Sequence, residues 1–199
     1  MPCIFNAKLK MKILILNASP RPDGSIARML DAARLEAEAG GAQVFTESVS
    51  SLRVRPCTGC MRCRTGGRCV LPDDDAQRLL ALIKQCDVWI IGSPCYWGNM
   101  PGTLKVLFDR MVYGLMGESP HGMPRPLHKG KRAILITTCT TSWPFNVWFR
   151  QSRGTVRALR EILRWSGFRV VKSIERGGTR TRPLTQRDLE RCRRAVRKL

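Results

Sequence analysis

Short, nearly continuous apolar runs constrain this chain more than any other feature. KILIL at Lys12 to Leu16, VWIIG at Val88 to Gly92 and RAILITT at Arg132 to Thr138 lack the polar alternation of a half-exposed strand. A strand that is apolar at every position is buried on both faces, which happens in parallel sheets covered by helices. Gln43 to Ser48 and Arg169 to Ile174 are further strand candidates. Helical spacing fills the gaps: Ser25 to Ala39, Asp74 to Gln85, Gly102 to Met116 and Thr155 to Ser166. Gly40-Gly41 and Gly167 supply stops, and the acidic run Asp73-Asp74-Asp75 suits a helix start. The pattern predicts βαβ units and one α/β domain: a five-stranded parallel sheet with helices on both faces.

The 199 residues suffice for one core, and neither repeats nor a linker mark a second domain over residues 1–199. Met11 stands directly before the first strand, so residues 1–11 read as an N-terminal extension. Thr185 to Leu199 places Leu189, Cys192, Val196 and Leu199 on one stripe among arginines. That predicts a C-terminal basic helix packed on the sheet, since the narrow stripe lacks the aromatics of a membrane-surface helix. No apolar run reaches the roughly 18–20 residues of a membrane span, and no secretory leader is recognisable, so the expected location is the cytoplasm.

The formal charge is +20, carried by 26 arginines and 9 lysines against 15 acidic residues. A nucleic-acid surface is one explanation, but zinc-finger histidines, ribonucleoprotein aromatics and a helix-turn-helix pattern are all missing. Attraction of anionic ligands is the simpler expectation.

In open parallel sheets, ligands bind at the carboxyl ends of the strands. After the first strand, Ser19-Pro20-Arg21-Pro22-Asp23-Gly24-Ser25 offers hydroxyls, a cation and a helix start, which is chemistry for a phosphate. It is neither a Walker loop nor a GxGxxG turn, and an ordinary helix capped by Ser25 explains the same residues. After the third strand, Ser93 to Pro101 carries Tyr96, Trp97, Gly98 and Asn99, which suit a flat heteroaromatic ring or cap the core.

Leu14 to Arg21 with Gly24-Ser25, followed by Ser93 to Pro101 and then Lys105, Phe108, Asp109 and Arg110, resembles the NADPH-dependent FMN reductase family from Lys12 to about Thr141. The resemblance implies a flavodoxin-like three-layer sandwich with strand order 2-1-3-4-5. It implies FMN as cofactor and NAD(P)H as co-substrate. Ser19, Arg21 and Ser25 would hold the phosphate, with Ile26 offering only its backbone N–H where the family usually has a hydroxyl. Pro94, Cys95, Tyr96, Trp97, Gly98 and Asn99 would border the ring, and Thr138, Cys139 and Thr140 would cover its other side. It further implies a homodimer or homotetramer. No side chain is expected to act as catalytic acid or base, because the cofactor carries the chemistry. His121 and His128 read as loop residues. Trp143 to Phe149 reads as a core plug, a dimer contact or a lid.

Cys57, Cys60, Cys63 and Cys69 are separated by two, two and five residues. Without an export signal such clustering suggests metal or redox chemistry, and CxxCxxC plus a fourth thiol suits an iron–sulfur cubane better than zinc. The segment resembles the iron–sulfur flavoprotein branch of the same family, which implies a 4Fe-4S cluster. Relatives with a similar segment, followed by a paired Asp as in Asp73-Asp74, keep the cysteines without a cluster. Cys86, Cys95, Cys139 and Cys192 read mostly as small core residues, as does Cys3. Three functions remain open: an NAD(P)H-dependent FMN oxidoreductase of a quinone, flavin or other small acceptor; an iron–sulfur flavoprotein fed by ferredoxin; and a basic scaffold that binds nucleic acid.

Overall fold

The computed structural model describes residues 10–119 and 121–199; the extension over residues 1–11 and Cys3 lie almost wholly outside them. The chain runs β1 (Lys12–Asn17), α1 (Ser25–Ala39), β2 (Gln43–Ser48), a 3-10 turn, α2 (Arg62–Gly66), α3 (Asp75–Gln85), β3 (Val88–Pro94) and α4 (Gly102–Leu115). It continues with β4 (Met116–Glu118), β5 (Pro124–Pro126), β6 (Arg132–Thr138), α5 (Phe145–Trp148), α6 (Gln151–Ser166), β7 (Arg169–Arg176) and α7 (Gln186–Arg197). The main sheet has the order β2-β1-β3-β6-β7 with every pair parallel, which is the expected 2-1-3-4-5. The β4–β5 hairpin, inside a proline-rich stretch read as loop, is an addition.

Why the strands had to be apolar throughout is visible in β1. Leu14 and Leu16 pack on one face with α3, α4 and α6, while Ile13 and Ile15 pack on the other with α1 and α7. Trp89 sits in the first core between Phe108 and Phe168, with ring centroids 5.7 Å from each. Each fully buried Leu or Ile contributes about 1.5–3 kcal/mol, so the two faces together fix the register. Helix α7 lies against α1 with Cys192 and Val196 buried. Among the described residues no helix is long and apolar enough to cross a membrane.

His128 is a loop residue but not a solvent-facing one. Its Nε2 lies 3.0 Å from the Gly114 carbonyl, and its ring stacks on Phe168 at 5.0 Å. Burial pushes its pKa below the ordinary 6.5. The unfolded chain therefore binds a proton below about pH 6.5 that the folded chain refuses, so this group's stability is full above that pH and lost as pH falls. The melting temperature should drop more between about pH 7.5 and pH 5.5 in the wild type than in His128→Gln, which keeps a donor for Gly114 but does not titrate. Equal losses would show that His128 binds its proton equally well in the folded and unfolded chains.

Candidate functional site

Strands β1, β3 and β6 are neighbours, so the loops at their carboxyl ends meet along one edge of the sheet. Backbone bonds prolong the ladder into them: Ala18 N–H donates to Gly92 O at 2.8 Å, and Cys95 N–H to Thr138 O at 2.8 Å. The chain reverses direction across the sheet between β2-β1 and β3, so this edge is the topological switch point.

In the first loop, Ser19 is buried, its N–H donating to Asn17 Oδ1 (2.9 Å) and its hydroxyl accepting from Arg21 N–H (3.2 Å). Gly24 allows the tight return, since a Cβ there would stand 3.0 Å from Arg21 Cβ. The expectation that Ser25 caps α1 is corrected: Gly24 is the N-cap, Ser25 is the first helical residue, and no side chain bonds the first-turn amides. By contrast, α3 and α7 are closed by full capping boxes, Asp74 with Gln77 and Thr185 with Asp188. A 15-residue helix thus presents open N–H groups, flanked by two serines and by Arg21, which is exposed and carries no ion pair among the described residues. That donor set fits a phosphate. Ile26 is buried, so only its backbone can take part.

The second loop is a two-residue turn. Tyr96 and Asn99 exchange both backbone bonds (2.8 and 2.9 Å), with Trp97 at φ 53° and Gly98 at φ 71° between them. This is the type I′ geometry, which glycine accepts at little cost and a bulky aromatic does not. Trp97 is nevertheless held there with its side chain fully exposed (101%), and Tyr96 is 46% exposed. A strained, solvent-facing indole at a strand end suits a stacking ring, and the alternative of aromatics capping the core does not survive.

In the third loop, Thr138 and Cys139 are buried and Thr140 is exposed. Missed from sequence was the start of α6, at Gln151 rather than Thr155, which braces the aromatic turn. A Cβ on Gly154 would stand 1.9 Å from the Gly98 carbonyl oxygen. Within the Trp143–Phe149 stretch, Asn146 is buried and donates to Ser152 Oγ (3.1 Å), which donates to Glu175 Oε2 (2.6 Å). Trp143 and Trp148 remain 74% and 68% exposed, so the segment is not a core plug.

The cysteine segment is a loop closed at its base. Asp74 Oδ2 accepts from Arg55 N–H (3.0 Å), and Asp75 Oδ2 from Arg53 N–H (2.8 Å). The buried Arg110 donates to the Pro72 carbonyl (2.9 Å) and lies 3.5 Å from Asp74. The working acidic pair is thus Asp74-Asp75, while Asp73 pairs with Arg68. All four thiols are free, two exposed and two half-buried. Cys63 has a raised pKa, first from burial and then from the neighbouring Cys69 and Cys57, so the sulfurs lie in one another's field. Gly59 N–H donates to Cys57 Sγ at 3.4 Å. Among the described residues no three such ligands stand close enough together to hold an ion; the donor set itself, four thiols with an amide bond to sulfur, is of cluster type.

From Trp148 and Gly154, beside the aromatic turn, a groove of about 1000 Å³ follows α6 against β7. Arg153, Arg157, Arg160 and Arg164 line it one helical turn apart, and none has a carboxylate partner among the described residues.

The chain is similar to several known proteins. Residues 11–177 match the family described as NADPH-dependent FMN reductase. An iron-sulfur flavoprotein of Archaeoglobus fulgidus is 38% identical over 121 residues, 61% of this chain and 51% of that protein. An FMN-dependent NADH:quinone oxidoreductase of Stenotrophomonas maltophilia is 30% identical over 132 residues, 64% of this chain and 66% of that protein. The chain spans about half the length of the first iron-sulfur flavoproteins it matches. Among solved structures, an FMN-dependent NADH-azoreductase of Bacillus anthracis superposes with TM-score 0.73 at 16% identity, covering 94% of this chain and 98% of the other, which shows a shared fold.

Proposed function

Because this chain belongs to the NADPH-dependent FMN reductase family, we propose that it is an NAD(P)H-dependent FMN oxidoreductase acting on a quinone, flavin or other small acceptor. The observation that carries this is the place of one uncapped helix start: α1, which like α4 and α6 has no side-chain cap, opens between Ser19 and Ser25 at the switch point, on the same sheet edge as the loop of the exposed Trp97.

Ser19, Arg21, Ser25 and the Ile26 amide would hold the phosphate, pairing its charge with a guanidinium and the positive end of α1. Pro94 to Asn99 would border one side of the ring and Thr138 to Thr140 the other, with the type I′ turn presenting Tyr96 and Trp97 for stacking. Bound FMN supplies hydride acceptance and electron delivery, and the protein supplies position and field. No ionisable side chain is needed as acid or base. The excess of positive charge would draw the anionic nicotinamide dinucleotide towards the exposed ring face, with the acceptor following at the same place. We take the assembly to be a homodimer or homotetramer and the protein to be cytoplasmic.

A second reading is favoured by the cysteine loop and the arginine groove together: an iron–sulfur flavoprotein in which Cys57, Cys60, Cys63 and Cys69 hold a 4Fe-4S cluster. An acidic carrier such as ferredoxin would then dock on the unpaired arginines of α6 and supply the electrons. One experiment separates the two. Anaerobically purified, FMN-loaded protein is mixed with NADPH and, separately, with reduced ferredoxin. Rapid bleaching of the flavin band by NADPH is the expected result. Bleaching by ferredoxin alone, over a broad cluster absorbance, would move the assignment to the second reading. No bleaching by either would overturn both.

A further inference from the structure

Two cysteines outside the four-cysteine loop stand side by side. Pro94 and Thr138 are register partners at the end of the β3–β6 ladder, and Cys95 and Cys139 are the next residue on each strand. The ladder still holds there, through Cys95 N–H to Thr138 O at 2.8 Å. Adjacent strands lie about 4.7–4.9 Å apart, inside the roughly 4.4–6.8 Å that two Cα atoms need for a disulfide. Cys95 Sγ lies 3.8 Å from Gln151 Oε1 at the start of α6, and Cys139 Sγ donates to the Thr141 carbonyl at 3.3 Å within its own loop. Cys139 also lies in the field of Cys95. Both thiols are free, Cys95 half-buried and Cys139 buried.

We propose that Cys95 and Cys139 form a redox-active pair that closes to a disulfide when the protein meets a small disulfide oxidant, clasping the β3–α4 loop to the β6–α5 loop. The clasp rests on geometry alone; its bearing on flavin rests on the reading above, because these two loops border the proposed ring site. The division of labour follows from exposure. Cys95, the more accessible of the two, is the attacking thiol. It attacks one sulfur of oxidised glutathione, the S–S bond breaks, and one glutathione thiolate leaves. Cys139 then loses its proton to solvent and attacks the Cys95 sulfur, releasing the second glutathione. Two electrons pass from the protein dithiol to the small disulfide, which ends as two thiols.

The test needs no flavin. The full chain is incubated with oxidised glutathione, alkylated, digested with trypsin and mapped by mass spectrometry. The expected product joins the peptide containing Cys95 to that containing Cys139, with fragment ions excluding Cys86, and the link disappears on reduction with dithiothreitol. In Cys139→Ser, glutathione should remain trapped on Cys95, because the resolving thiol is gone. In Cys95→Ser, Cys139 should stay unmodified in the folded protein. Absence of the linked peptide from the wild type, which needs no variant to fold, would overturn the proposal. So would a wild type in which Cys95 pairs only with the four-cysteine loop. A missing FMN site would leave the cross-link result untouched, so the two claims fail separately.

Discussion

Replacing Ser25 by aspartate is expected to weaken FMN binding at least a hundredfold while leaving the melting temperature unchanged or slightly raised. Ser25 is the first residue of α1 and is half-buried, beside first-turn amides that no side chain caps. A carboxylate at a helix start adds about 0.3–1 kcal/mol of helix stability through the dipole. The same carboxylate would stand where the phosphate must sit. Two unit charges about 4 Å apart repel by about 4 kcal/mol at the effective dielectric of a protein surface, and a hydroxyl donor is lost as well. Stability and affinity thus move in opposite directions. If Ser25 served only the helix, the melting temperature would rise and FMN titration would not change. Fluorescence titration of FMN and a thermal melt on the same two proteins decide it.

Gly154→Ala is the second large effect, and its sign runs against propensity. Within a helix, alanine is ordinarily favoured over glycine by roughly 0.5–1 kcal/mol. Here the added Cβ would meet the Gly98 carbonyl oxygen at 1.9 Å and its carbon at 3.0 Å, both backbone atoms that cannot swing aside. Either α6 or the type I′ turn must move, at about 1–3 kcal/mol, which for a chain of this size lowers the melting temperature by about 2–12 °C. Because the displaced turn carries Tyr96 and Trp97, FMN affinity should fall at least tenfold. A melting temperature equal to or above that of the wild type would show that the close approach of Gly154 to Gly98 is not a feature of the folded protein.

What the sequence made legible follows from burial on two faces. KILIL, VWIIG and RAILITT had to be interior parallel strands, and the strand order came with the resemblance carried by the loops after β1 and β3. The hairpin of β4 and β5 was hidden because its strands are three residues long and Pro124 and Pro126 flank the second. The start of α6 was placed too late because Gly154 reads as a helix-weakening residue, whereas it is required by contact with Gly98. Within the site, Ser19, Arg21, Trp97 and Asn99 were nameable in advance, but the positive φ of Trp97 was not, since no local rule places an aromatic there. His128 looked like any loop histidine, and only the packing of Phe168 against it shows it buried. The hydrogen bonds of Asp74 and Asp75 to the stem of the cysteine loop could not be read from sequence, because they depend on how the chain at Arg53 and Arg55 returns to the start of α3.

The most direct test of the central claim is an equilibrium titration of FMN into the purified, flavin-free wild-type chain, followed by quenching of flavin fluorescence and repeated with riboflavin. The account predicts saturation at one FMN per chain and much weaker binding of riboflavin, which lacks the phosphate that the open start of α1 is built to hold. No saturable binding, or equal affinity for riboflavin and FMN, would contradict it.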